Sequence, residues 1–306
     1  MKCVSYNIQF GFGCDAKFDL TRIIDAIRGA DVIALQEVTR NSPMNGGADL
    51  VAEIRAALSE YFAAYGPNFE ADVGSHVKDG KAIDMRLQFG NMILSKTPIL
   101  LSRNILLPRS RSYDKVNLQR GALEALIDTP NGPTRFYSLH LDHRGADERM
   151  RQIAFLMDRL LLYPLEGGAI TGISEMGFPE PPVPETYVVM GDFNMLPGSP
   201  EYHAIVGAVD HEFGVPISAR HAVDAGALPV GDTAKTCVNL EDPADVSMHK
   251  RLDYCFVHPL LASKVKSVRV DSAAVGSDHK PVWVEFDWNA EAAPSLPFAH
   301  HLTQPS

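Results

Sequence analysis

The 306-residue sequence has only four cysteines, Cys3, Cys14, Cys237 and Cys255, and no two stand at a CxxC or other metal-ligand spacing. That argues against a thiolate metal centre, and Cys3 and Cys255, inside apolar strand-like runs, read as buried reduced thiols. Long basic stretches are also missing. Lys and Arg number 28 against 38 Asp and Glu, for a formal net charge of −10. Such a chain is poorly suited to gripping duplex DNA over its whole surface, because neutralising phosphates takes Lys and Arg. A local basic site stays open. The start, Lys2-Cys3-Val4-Ser5-Tyr6, has no basic segment followed by an apolar one, so no signal peptide is expected. No apolar run approaches the length of a membrane span. These absences together predict a soluble, reducing, cytoplasmic setting. Repeats and linkers are lacking too, which predicts one domain over residues 1–288 and a C-terminal tail over 289–306. No obligate protein partner is evident.

What is present is ordinary globular composition, 45% hydrophobic and 22% charged, enough for a large core. Strands are expected at 2–6, 31–35, 91–94, 99–107, 122–127, 134–139, 187–190, 252–257, 265–270 and 281–286. Between them lie predicted helices. One is capped by Asp19 or Thr21, with Leu20, Ile23, Ile24 and Ile27 on its apolar face. A second carries Leu50, Val51, Ile54, Leu58 and Tyr61. A third covers about 146–162, with Met150, Ile153, Met157, Leu160 and Leu161 on its face. A fourth starts at Ser199-Pro200-Glu201. Many strands are adjacent, which favours a mixed-sheet α/β sandwich over a purely parallel sheet. Two broken stretches remain, 164–186 and 208–248. The first leads into the strand before Asp192, so a lid or substrate contact competes with a plain surface excursion.

The chemistry lies at the strand ends. Asn7 follows the first strand, Glu37 the second, and His140 ends the strand at 134–139. Asp192 and Asn194 follow the run Tyr187-Val188-Val189-Met190. Asp253 starts the strand at 252–257, and Ser277-Asp278-His279 precedes the last. A capped turn explains one such residue, but not six or more in one chain. Rigid strand ends surrounded by loops are where α/β sheets hold reacting groups. Asn7, Glu37, Asp192, Asn194, Asp253 and Asp278 offer only hard oxygen donors, which favours Mg²⁺ or Mn²⁺ over Zn²⁺. His140 and His279 supply proton transfer or charge neutralisation. Arg120 is placed to grip an anionic oxygen, against the plainer reading of a sheet-edge arginine. The set describes hydrolysis of a phosphoester.

Seven fragments occur in order: Ser5-Tyr6-Asn7-Ile8-Gln9, Leu35-Gln36-Glu37-Val38, Gly90-Asn91-Met92-Ile93-Leu94-Ser95, Ser138-Leu139-His140-Leu141, Gly191-Asp192-Phe193-Asn194, Arg251-Leu252-Asp253-Tyr254 and Ser277-Asp278-His279-Lys280-Pro281. With these fragments, from Ser5 to Pro281, the chain resembles the endonuclease/exonuclease/phosphatase superfamily of DNase I-like enzymes. The resemblance implies a four-layer α/β sandwich of two packed mixed sheets flanked by helices. It implies Glu37 as the main Mg²⁺ ligand, joined by Asn7 and Asp278. Asp192 would orient or deprotonate the attacking water, and Asn194 would fix that water or a phosphate oxygen. Asp253 would hold the His279 imidazole, while His140 would assist the leaving group or phosphate.

Three functions compete: a Mg²⁺- or Mn²⁺-dependent phosphodiesterase or phosphatase on a small or lipid-derived ester, a nuclease, and a non-catalytic binding protein on the same scaffold. A nuclease calls for a basic, aromatic rim, for which Arg86, Lys96, Arg103, Arg109, Arg111 and Lys115 are the candidates. Nucleic acid is therefore an allowed partner but not a required one. Retention of every site residue speaks against the binding protein. His143, Arg144 and Arg149 are either phosphate contacts or the start of a solvated helix.

Overall fold

A computed structural model describes residues 1–289; all of the expected C-terminal tail except Asn289 lies outside the described residues. The described residues form two mixed six-stranded sheets. The first contains β1 (Lys2–Asn7), β2 (Val32–Arg40), β3 (Phe62–Asp72), β6 (Arg86–Ser95), β13 (Val265–Val270) and β14 (Val282–Phe286), in the order β13-β14-β1-β2-β6-β3. The second contains β7 (Ile99–Leu106), β8 (Gly121–Thr129), β9 (Gly132–His140), β10 (Tyr187–Asp192), β11 (Val223–Asp224) and β12 (Asp253–Val257), in the order β11-β12-β10-β9-β8-β7. A small hairpin, β4 (His76–Lys78) with β5 (Lys81–Ile83), stands apart.

Each sheet is antiparallel except at its centre, where β1 lies parallel to β2 and β9 parallel to β10. Strand residues alternate between faces, and this period of two builds the layers. Cys3, Val32, Ala34 and Ile93 of the first sheet meet Phe136, Val188, Met190 and Cys255 of the second in one buried core. The opposite faces carry the helices. Val4, Tyr6, Ile33 and Leu35 pack against α1 (Leu20–Ile27) and α2 (Leu50–Ala57). Tyr137, Leu139, Tyr187 and Val189 pack against α3 (Ala146–Glu166) and α4 (Pro200–Val206). Helix, sheet, sheet, helix is the expected four-layer sandwich. No helix among the described residues is long and apolar enough to cross a membrane.

Local signals explain the helix starts. Asp19 accepts the Thr21 N–H, and Ser199 accepts the Tyr202 N–H with Pro200 in the first turn. Each such cap is worth about 1 kcal/mol. Other expectations need correction. α2 stops at Ala57; Leu58 is buried beyond it, and Tyr61 sits in a turn with its hydroxyl on the Ala30 carbonyl, 2.6 Å away. On α3 the buried stripe is Ile153, Leu156, Met157, Leu160 and Tyr163, with Met150 and Leu161 left partly exposed at its rim. The stripe is rotated because Gln152 is buried, holding the Asp142 N–H and the Pro108 carbonyl. β3 was not foreseen, since Gly66-Pro67 interrupts its apolar pattern; the structure absorbs them at a register shift between Pro67 and Phe69. β11 hides inside the broken stretch 208–248. The segment before Tyr187 enters β10 at the end remote from Asp192.

Candidate active site

The topology brings the chemistry to one edge. Asn7 is opposite Gln36 where β1 ends and β2 reaches its register shift, and His140 is opposite Asp192 at the ends of β9 and β10. Antiparallel neighbours begin where these end. β12 starts with Asp253 opposite Asp192, β8 starts with Gly121 opposite His140, and Asp278 and His279 come just before β14, which pairs antiparallel with β1. Arg120 precedes β8. All nine expected site residues therefore sit at this edge.

Along each central strand regular alternation places a polar residue at the inward position nearest the site, after apolar positions in β10 and after Ser5 and Ser138 in β1 and β9. Val188 and Met190 lead to Asp192, and Cys255 is two residues from Asp253 on the same face. Glu37 breaks this rule. The inward residues of β2 are Val32, Ala34 and Gln36, so regular pleating would send Glu37 toward the helices. A register shift between Leu35 and Val38, with Glu37 at φ +60°, re-aims it. Left-handed backbone is strained for a non-glycine residue, and such bulges recur beside active sites. Gly191 is a close approach: a Cβ there would lie 1.9 Å from the Leu139 carbonyl oxygen.

The side chains form one network. Asn7 Nδ2 donates to Asp192 Oδ2 at 3.1 Å and to Glu37 Oε1 at 3.3 Å, joining the two sheets. His279 Nδ1 lies 2.7 Å from Asp253 Oδ2, and its Nε2 lies 3.7 Å from Asp192 Oδ2. His140 Nε2 lies 3.4 Å from the same Asp192 oxygen. The Arg120 guanidinium donates to His140 Nε2 at 3.0 Å and His143 Nδ1 at 2.9 Å. Asn194, at φ +50°, donates its backbone N–H to Asp192 Oδ1 at 2.9 Å and its amide to the Leu141 carbonyl at 3.2 Å.

Burial sets the charge states. It pushes Asp192 up to about 6, Asp253 adding to the rise while His279 opposes it. It pushes Glu37 up to about 7, against Arg120 and His279 and with the help of Asp278. Asp278 is raised by its own burial. Burial also works against a charged His279, but Asp253 and then Asp192 outweigh it and hold that imidazole well above the usual range. His140 moves the other way, neutral through burial and the nearby Arg120.

Several residues here were not foreseen. Buried Thr236 accepts the N–H groups of Leu252 and Asp253, both at 3.0 Å, fixing the start of β12. Its segment is a loop with no periodic pattern, so only tertiary pairing reveals it. Gln9 bridges Asn7 and the Asp278 N–H, and its position two residues beyond Asn7 was the available signal. Phe89 stands under Arg120 and beside His140, flanked by Phe10 and Phe69. His143 reaches the network through Arg120, while Arg149 pairs with Glu201 on α4. The six expected rim cations do not cluster: Lys96 pairs with Asp31, Arg86 with Asp84, and Arg103 with buried Glu124. Arg109, Arg111 and Lys115 alone share the loop before Arg120. Lys280 is taken up by the Ala274 carbonyl.

One cluster of acidic and histidine groups among the described residues could hold a divalent cation. Asp192, Asp253 and His279 bring ligand atoms within 4.8 Å of one another. His279, however, holds its proton against Asp253, and a metal would have to displace it. In the set expected from sequence, Asn7, Glu37 and Asp278, Asp278 helps to raise Glu37, a repulsion that a cation relieves, while Asn7 turns its amide nitrogen to Glu37 and its oxygen to the Gln9 N–H.

The fold is similar to that of solved proteins. An endonuclease/exonuclease/phosphatase from Beutenbergia cavernae DSM 12333 superposes with TM-score 0.64 at 20% identity, covering 93% of this chain and 70% of that one. A mannosyl-6-phosphatase from Bacteroides thetaiotaomicron VPI-5482 gives 0.54 at 18%, covering 94% and 99%. A Neisseria 3′ phosphatase bound to a product DNA hairpin gives 0.55 at 16%, covering 94% and 100%. No match was found among curated protein sequences. The family model described as Endonuclease/Exonuclease/phosphatase family matches residues 4–279, a stretch that holds every residue of the network. The chain therefore belongs to the endonuclease/exonuclease/phosphatase family.

Proposed function

We propose that this protein hydrolyses a phosphodiester with the aid of Mg²⁺ or Mn²⁺, by attack of water on phosphorus. The observation that carries the reading is the shared Asp192 Oδ2, which lies within 3.7 Å of Asn7, His140 and His279 from three different strand ends. One carboxylate oxygen ringed by nitrogen groups suits the handling of a single water. Glu37, Asn7 and Asp278 would hold the cation, which when bound polarises the phosphoryl oxygen. Asp192, ionised above about pH 6, orients the water and takes its proton. Asn194 keeps that carboxylate aimed. His279, charged and steadied by Asp253, faces the phosphate and neutralises developing charge. Arg120 binds a phosphate oxygen, and neutral His140 assists at the leaving group.

The dispersed cations favour a small phosphoester over a polynucleotide, which needs a continuous basic track. A cytoplasmic setting is part of the same reading, in keeping with the reduced thiols expected of Cys3 and Cys255. The test compares bis-p-nitrophenyl phosphate, p-nitrophenyl phosphate and single-stranded DNA with Mg²⁺ or Mn²⁺. The diester should be cleaved fastest, and chelation should abolish the activity. Activity that survives EDTA, or that is unchanged in Asp192→Ala, overturns the mechanism.

A further inference from the structure

On its Asp278 side the site adjoins, through Gln9, an apolar groove. Residues 9–16, the turn Pro43–Asn45 and the loop at Leu240 enclose about 480 Å³, lined by Gln9, Phe10, Phe12, Cys14, Met44 and Leu240. Leu240 also borders a second hollow of about 300 Å³ that runs past Val238 and Met248 to Asp278. Gln9 ties the groove to the site. Its side-chain oxygen accepts the Asp278 N–H, and its own N–H donates to Asn7 Oδ1.

Three observations bear on what this groove holds. Met44 and Leu240 leave 66% and 48% of their surface in water, next to a polar site rather than within a core. Large apolar side chains grouped in this way mark a binding surface, and thioether chains adapt their shape to a ligand. Gln9 and Phe10 carry successive left-handed backbone, φ +42° and +55°, held by Asn7, Asp278 and the Asn45 amide on the Phe10 carbonyl. That strained turn brings the Phe10 ring to 5.8 Å from Phe89, in the aromatic wall beside His140. Finally, Lys250 is the one cation among the described residues that lines either hollow, against Asp278 and Glu241. A phosphate chain would meet repulsion there; a neutral carbon chain would not.

We propose that this groove receives the apolar organic group of the substrate, an alkyl or aryl substituent on a phosphodiester whose phosphorus lies at Asp192. The proposal rests on the phosphoester reading of the site and narrows its substrate class. Titration calorimetry tests it without turnover. In an Asp192→Asn background with Mg²⁺, dibutyl phosphate should bind about tenfold more tightly than dimethyl phosphate, through methylenes removed from water. Adding Met44→Ser and Leu240→Ser, both at exposed positions, should erase that preference and leave dimethyl phosphate affinity unchanged. Equal affinities in the parent, no binding of either ester, an undiminished preference in the variant, or equal weakening of both esters overturns the proposal. A clear butyl preference with no metal-dependent cleavage of any ester by the unaltered enzyme would support the groove and refute the hydrolytic reading instead.

Discussion

The two sheets are built alike and deliver their chemistry differently. Each places a parallel pair at its centre, β1–β2 in one and β9–β10 in the other, and both pairs end at the same edge. The second sheet presents Asp192 and His140 by unbroken pleating, as the final inward residues of straight strands. In the first, regular pleating serves only Asn7, and Glu37 reaches the edge through a strained bulge. The asymmetry matches the proposed division of labour. Asp192 and His140 need fixed mutual geometry for a water and a phosphate, which straight register supplies. Glu37 must leave the pleat to stand beside Asn7 and Asp278, where a cation would sit.

Substitution on each side should separate these duties. Asp192→Ala is expected to lower kcat by about 100- to 10,000-fold with little change in the Mg²⁺ concentration needed for half-maximal rate. Glu37→Gln should instead raise that concentration roughly tenfold or more and recover activity as Mg²⁺ is added. If both variants respond to Mg²⁺ in the same way, the sheets do not divide the work.

A second test concerns what steadies the edge of the second sheet. Arg251 forms two hydrogen bonds to buried Asp224, at 2.8 and 2.9 Å, across β11 and the start of β12. Arg251→Ala leaves that carboxylate uncompensated and should cost about 3–5 kcal/mol in denaturant unfolding. A loss below about 1 kcal/mol would show that the pair is not structural.

A third uses pH. Glu37 and Asp192 are both raised, to about 7 and about 6. In metal-free protein their contribution to stability is full below the ordinary carboxylate range, near pH 4, and is lost as pH rises through these values. The Tm in EDTA should therefore fall between about pH 5 and about pH 8, and Mg²⁺ should raise it more at the higher pH. A Mg²⁺ effect independent of pH would remove Glu37 from the cation. The smallest effect expected is at the sheet–sheet contact. Ser138 Oγ accepts from Gln36 Nε2 and donates to the Leu35 carbonyl, both at 2.9 Å, so Ser138→Ala should cost about 1–3 kcal/mol by stranding Gln36.

Much of this edge was legible from residue order. Asn7, Asp192 and Asp253 stand where strand patterns end or begin, and a polar residue closing an apolar alternation is visible without coordinates. Gln9, Thr236 and Phe89 were not legible as site residues. Gln9 reads as an ordinary polar residue after a strand, Thr236 lies in an aperiodic loop, and Phe89 looks like core. Proximity in sequence also misled. Residues 164–186 directly precede the strand that bears Asp192, yet they join it at Tyr187, the end remote from that carboxylate. The positive charges between 86 and 115 scatter because β6 and β7 carry them along their lengths to different neighbours.

The sequence by itself determined the local alternation, the helix caps at Asp19 and Ser199, and the kinds of donor available at each strand end. These follow from side-chain periodicity and from hydrogen bonds between near neighbours in the chain. Only the tertiary structure decided which strand ends meet, that Glu37 leaves the pleat, that Thr236 fixes the start of β12, and that an apolar groove lies beside Asp278. Strand pairing is made by backbone groups that every residue shares, so the order of strands in a sheet is selected by the packing of whole layers and is not written at any single position.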